Sequence, residues 1–209
     1  MTKALVIVFV KNITLGTVKT RLAKTIGDIG AFEVYSELVK VTEKATRNLN
    51  CDIKIYYSSS ITESHWPNEN KTVQQGEDLG EKMYNAFNDS FNAGYKKIVL
   101  IGSDLPTITS CHIKESINSL DDSVSVFGPA EDGGYYLIGL RSMVPEIFQN
   151  KPWSQNHLLK TTLQELQKLN VSVSTLETLN DIDTYEDLIA SDFYKSNLEL
   201  QEKIQQLND

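Results

Sequence analysis

The sequence predicts a three-layer α/β/α sandwich with a mostly parallel central sheet. Two apolar runs rich in β-branched residues, Ala4–Val10 and Lys97–Gly102, each end in a polar loop. Unbroken apolar runs of this kind suit strands covered on both faces. Between and after them, segments with helical spacing alternate with shorter strand-like runs, the pattern of β-α-β units. No internal repeat, low-complexity stretch or linker interrupts the 209 residues. A single domain over 1–209 is expected, with a core at about 4–190 and a polar, acidic C-terminal helix or tail at 191–209.

Taken in order, 4–10 is the first strand. After a glycine-containing loop, 30–48 places Phe32, Tyr35, Leu38, Val39 and Thr42 on one side of a helix. Strands follow at 52–58 and around Val73, then a helix at 79–91 with Met83, Ala86, Phe87 and Phe91 inward. The strand at 97–102 leads to a helix at about 109–120 and strands at 124–127 and 135–140. A helix over 156–169 has Ser154 as its expected N-cap, 171–176 is a strand, and a helix runs on from Thr184. Asp183 with Glu186 three residues later has the form of a capping box for that last helix.

Charge narrows the function. The net charge of -8 argues against a general nucleic-acid or anionic-membrane binder. The sign is unevenly spread, because Lys3, Lys11, Lys19, Arg21 and Lys24 all precede the first acid, Asp28. From Glu177 onward there are nine acids and two bases. A basic front end on an acidic chain is a candidate anion site. Cys51 and Cys111 lack CxxC spacing, and no apolar run approaches the ~20 residues that span a bilayer, so a reduced cytoplasmic protein is expected. His65, His112 and His157 are isolated from one another and read as surface or helix residues.

Ligands of such sheets sit beyond the carboxyl ends of the strands. Three unusual polar segments fall there. In Lys11-Asn-Ile-Thr-Leu-Gly16-Thr-Val-Lys19-Thr-Arg21, Gly16 permits a tight turn, and Lys19 and Arg21 offer charge-assisted bonds to a di- or triphosphate. A helix starting soon after would add free amides. It is not a Walker A loop, since Val18 and Ile13 stand where that motif needs glycines. A solvated basic loop is the plain alternative. In Gly102-Ser103-Asp104-Leu-Pro106, a carboxylate at the end of a buried strand suits Mg²⁺ or Mn²⁺, although Asp near Pro is also ordinary turn chemistry. In Gly128-Pro-Ala-Glu131-Asp132-Gly133-Gly134-Tyr135-Tyr136, a hairpin turn and a substrate wall are equally served. Downstream, one of Asp181 and Asp183 could complete a metal site, and Trp153 could wall a sugar or plug the core.

Together these segments resemble the GT-A-type nucleotide-diphospho-sugar transferase superfamily. More closely they resemble the small family of proposed glycosyltransferases associated with radical-SAM arsenosugar biosynthesis. Gly16–Leu22, Gln75–Met83, Gly102–Pro106, Gly128–Leu140, Trp153-Ser154 and Asp181–Leu188 carry the likeness over about 4–190. The family is also similar to the guanylyltransferases of deazaflavin and molybdenum cofactor biosynthesis.

The resemblance implies a nucleotide or nucleotide sugar held by Lys11, Gly16, Lys19, Arg21, Gln75, Gly76 and Ser103. It implies catalytic roles for Lys19, Arg21 and Asp132, and substrate contacts from Gly133, Gly134, Tyr135 and Trp153. A divalent Mg or Mn ion would sit on Asp104 with Asp183 as second ligand, and a small molecule would be the acceptor. The chain departs from the family at Asn12-Ile13-Thr14-Leu15, where prolines are usual, and at Tyr185, where a Pro is usual. It also lacks a full Asp-x-Asp at 102–106. Glycosyl transfer is the first reading, nucleotidyl transfer to a small phosphorylated metabolite the second, and a non-catalytic nucleotide-binding regulator the third. Nothing in the sequence bears on oligomeric state.

Overall fold

A computed structural model of the chain describes residues 3–208. Strands β1 (Ala4–Val10), β2 (Asp52–Tyr57), β3 (Asn70–Val73), β4 (Lys97–Ile101), β5 (Ser125–Pro129), β6 (Tyr135–Leu140) and β7 (Val173–Thr175) form one sheet in the order β3-β2-β1-β4-β6-β5-β7. All pairings are parallel except those of β6, which runs antiparallel to both β4 and β5. The expected mostly parallel, three-layer sandwich is therefore present.

The alternation along β1 assigns the layers. Val6, Val8 and Val10 face one side, where α1 (Thr20–Thr46) and α3 (Ser110–Ser119) bring Tyr35, Val39 and Ile113. Leu5, Ile7 and Phe9 face the other, where α2 (Leu79–Asn92) and α4 (Leu158–Lys168) bring Met83, Phe87 and Leu166. Burial on both faces is why β1 reads as a continuous apolar run.

Three expectations need correction. The first helix starts at Thr20 rather than near 30. Gly27, at φ 74° and ψ 166°, leaves helical geometry and joins two helical stretches across a kink. The early stretch buries Leu22 and Ile26 in a third cluster, away from the sheet, which conceals its periodicity. Second, Ser154 is not the cap of α4, which begins at Leu158 after His157; Ser154 has φ 62° in the preceding turn. Third, the last helix breaks into α5 (Tyr185–Ala190), α6 (Asp192–Lys195) and α7 (Leu198–Asn208). As far as residue 208 the C-terminal segment is held down: Leu200 and Ile204 of α7 pack with Leu22, Val34 and Leu38 of α1. Among the described residues no helix is long and apolar enough to cross a membrane.

Candidate functional site

The loops after β1, β4 and β6's partner β5 meet at the carboxyl ends of the parallel strands. The first of them is fixed without proline. Buried Asn12 accepts from the backbone N–H of Ser59 (2.8 Å) and Ser60 (3.3 Å) and donates to the Ser60 carbonyl (2.6 Å). The loop after β1 is thus clamped to the loop after β2, supplying the preorganisation that the missing prolines would give. Tyr35 ties in the third strand end: its Oη lies 2.7 Å from Ser103 Oγ and accepts from the Lys11 N–H at 3.0 Å.

At the start of α1, Lys19 takes a left-handed backbone (φ 46°, ψ 49°) and caps the helix with no side-chain bond to it. Its side chain turns inward and is 5% exposed. The ammonium lies 3.0 Å from Asp104 Oδ2 and 3.0 Å from Asp183 Oδ1. Burial alone would lower its pKa, but Asp104 and Asp183 more than reverse this and hold it above the usual lysine range. Arg21, 69% exposed, reaches Asp183 Oδ2 at 3.5 Å.

Asp104, Asp181 and Asp183 converge, with one oxygen from each within 4.8 Å of the others. Both downstream aspartates, not one, join Asp104. Burial raises Asp181 to about 6, with the Asp104 and Asp183 charges adding to the effect. Three carboxylate oxygens are the hard donor set that Mg²⁺ or Mn²⁺ prefers. The Lys19 ammonium already lies between two of them as a resident cation, so the geometry fits a positive ion.

Asp183 is not the helix cap that its spacing suggests. Thr184 is the N-cap of α5, accepting from Asp187 N–H (3.2 Å), while Asp187 Oδ2 accepts from the backbone N–H of Thr184 (2.8 Å) and Asp183 (3.1 Å). The box has slipped by one residue, leaving the Asp183 carboxylate free for Lys19 and Arg21.

Two pockets meet at this cluster. The first, about 590 Å³, is lined by the bases Lys11, Lys19, Arg21 and Lys82 and by Ser103. The start of α1 adds Thr20 and Arg21, whose backbone N–H groups belong to the unpaired first turn of a helix. The second, about 450 Å³, is lined by Asp132, Gly134, Tyr135, Trp153 and Asp181. Phe9, Lys11, Leu79, Gly102 and Asp104 border both.

Most expected residues fall on these walls; four do not. Gln75 gives its carbonyl to Asn85 Nδ2, and it is Gln74 that lines the first pocket. Gly76 serves packing, since a Cβ there would lie 2.8 Å from the Lys82 nitrogen. Gly133, at φ 88°, meets the Asn156 carbonyl so closely that no side chain fits, and it lies outside the second pocket. Gly16 shapes its turn at φ 77° but does not line the first pocket. Sequence reasoning missed Gln74, Lys82 and Ser58. The last two sit where period-2 and period-3.6 patterns leave polar residues unremarked.

The family described as "Uncharacterized protein conserved in bacteria (DUF2064)" matches residues 41–155. The chain belongs to the DUF2064 family. No curated protein matches this DUF2064 chain. Among solved structures it is similar to a candidate nucleotide-diphospho-sugar transferase from Desulfovibrio desulfuricans G20, with 29% identity, 99% of each chain covered and a TM-score of 0.86. It shares its fold with the inositol-1-phosphate CTP transferase of T. maritima (15% identity, 98% and 96% covered, TM-score 0.59). It also shares it with Rv0371c from Mycobacterium tuberculosis H37Rv, solved in complex with manganese (15% identity, 95% and 99% covered, TM-score 0.53). The DUF2064 fold is thus that of nucleotide-diphospho-sugar transferases and cytidylyltransferases, as the resemblance implied.

Proposed function

We propose that this protein is a divalent-metal-dependent glycosyltransferase that uses a nucleoside-diphosphate sugar. The observation that carries the reading is the meeting of a basic pocket and an acidic, aromatic pocket at three aspartates. The 29%-identical D. desulfuricans protein, described as a candidate nucleotide-diphospho-sugar transferase, supports it.

In this reading Lys19, Arg21 and the first amides of α1 hold the diphosphate, with Lys11 and Ser103 beside it. Asp104, Asp181 and Asp183 would hold Mg²⁺ or Mn²⁺, which when bound neutralises charge on the departing diphosphate. Asp132, on the second pocket's wall, accepts the proton of the acceptor hydroxyl. That oxygen forms the new bond to the sugar's anomeric carbon. The bond from that carbon to the diphosphate oxygen breaks, and the electron pair leaves with the nucleoside diphosphate. Preorganised cations aimed at developing charge supply the largest part of such an acceleration. The unpaired thiols of Cys51 and Cys111 suit a reducing compartment, and we place the activity in the cytoplasm.

A lone aspartate at 102–106, with Gly102 where a paired acid would stand, favours nucleotidyl transfer as the second reading. Products separate the two: free nucleoside diphosphate marks the first and pyrophosphate from a triphosphate marks the second. The test is Mn²⁺-dependent nucleotide binding by calorimetry in wild type and Asp104→Asn. We expect the variant to lose more than about a hundredfold in affinity, beyond the effect of a residue that only supports a ligand, with circular dichroism unchanged. Equal affinity in the two proteins removes the metal from Asp104 and the proposal with it.

A further inference from the structure

The second pocket differs from the first in the charges it presents. Its only base is Lys11, shared with the first pocket, and against it stand Asp104, Asp132 and Asp181. The first pocket sets four bases against Asp104 and Asp183. Neither arginine nor histidine lines the second pocket. The nearby start of α4 does not compensate. The Leu158 N–H already donates to the Gln155 carbonyl (3.1 Å), and the Leu159 N–H to the Gly133 carbonyl (3.0 Å). A phosphate dianion here would find carboxylates where it needs donors.

The remaining wall suits a different ligand. Trp153, Met83, Leu79 and Leu158 offer apolar surface. Asp132 keeps one carboxylate oxygen on the Gly134 N–H (2.8 Å), which orients the group while it remains exposed. Ser154 and Gln155 add neutral polar groups. Tyr135 adds a half-buried aromatic residue to this wall, with its hydroxyl shielded from solvent. An aromatic wall with carboxylates and neutral polar groups matches a ring of C–H faces and O–H edges.

We propose that the second pocket receives an uncharged polyhydroxylated acceptor and discriminates against phosphate monoesters. The inference rests on the reading of this cavity as the acceptor side of a transferase. It makes a hydroxyl, and not a phosphate, the attacking group.

The test uses matched probes: glycerol and glycerol 3-phosphate, inositol and inositol 1-phosphate, methyl glucoside and glucose 6-phosphate. Each is titrated by saturation-transfer NMR into the full chain with Mg²⁺ and a saturating nucleoside diphosphate (UDP, GDP, CDP or ADP), so that the basic first pocket is filled. At least one uncharged probe should bind, and its phosphorylated partner should bind at least about tenfold more weakly. Trp153→Ala should weaken the uncharged probe, and Asp132→Lys, at an exposed turn, should shift preference toward the phosphorylated one. A phosphorylated partner that binds wild type as well or better overturns the proposal, as does failure of every uncharged probe. Nucleotide affinity, read separately by calorimetry in the first pocket, reports on the transferase reading alone, so the two failures are distinguishable.

Discussion

The two pockets share a wall at Asp104 yet are built on different principles. The first is assembled from fixed positive charge: a buried ammonium, an exposed guanidinium and the start of a long helix. Such a site recognises charge and is indifferent to much of the ligand's shape. The second is assembled from rings, aliphatic side chains and acids, a lining suited to select by fit, by hydroxyl geometry and by rejection of anions. A donor that always carries a diphosphate needs the first kind, and an acceptor chosen among many needs the second. Charge recognition and selection by shape are thus separated across one aspartate.

The sharpest way to break that separation is Asp132→Asn. If Asp132 removes the acceptor proton, turnover should fall by about 10²–10⁴-fold while nucleotide affinity stays within about twofold. Steady-state product release and calorimetry read the two quantities. A loss of nucleotide affinity comparable to the loss of turnover would assign Asp132 to the wrong half.

Lys19→Met tests the other half. Replacing a charge-assisted contact of about 1.5–3 kcal/mol with a neutral chain of similar length should weaken nucleoside diphosphate ten- to a hundredfold. Arg21→Ala should cost less, because a side chain 69% exposed is screened by water. Equal losses from the two would mean that burial of the lysine contributes nothing.

The smallest effect belongs to Thr184→Ala. Loss of this cap should cost about 0.5–2 kcal/mol, a fall of a few degrees in Tm, and leave Mn²⁺ affinity unchanged. Burial raises the Asp187 pKa, but hydrogen bonds from Thr184 and Asp183 outweigh it and lower the carboxyl overall. Its stabilisation is therefore complete above the ordinary carboxylate pKa of about 3.9 and is lost as pH falls through the lowered folded value. Acid unfolding of the variant, followed by circular dichroism, should start at higher pH than in wild type. A shift the other way would contradict the assignment of Thr184 and Asp187 as the box.

Much of the fold was legible because β1 and β4 are covered on both faces and their composition shows it. Lys11, Lys19, Arg21, Ser103 and Asp104 were legible for a related reason: polar residues at the end of a buried strand stand out. What was hidden depends on geometry rather than composition. The kink at Gly27 and the one-residue slip from Asp183 to Thr184 turn on backbone angles that many sequences share. The convergence of both Asp181 and Asp183 on Asp104 required knowing that the helix starts only at Tyr185 and that Ile182 between them is buried. Asn12 was read as a lost proline, and its hydrogen bonds to Ser59 and Ser60 could be seen only once β1 and β2 were neighbours.

Lys19 carries a last consequence. Its left-handed backbone is one that glycine adopts freely and a lysine adopts at a cost of order 1 kcal/mol. Lys19→Gly would relieve that backbone cost, yet it would also remove the buried cation that holds Asp104 and Asp183 together, a larger loss. The position marks where a strained backbone is kept because the side chain it carries neutralises two carboxylates.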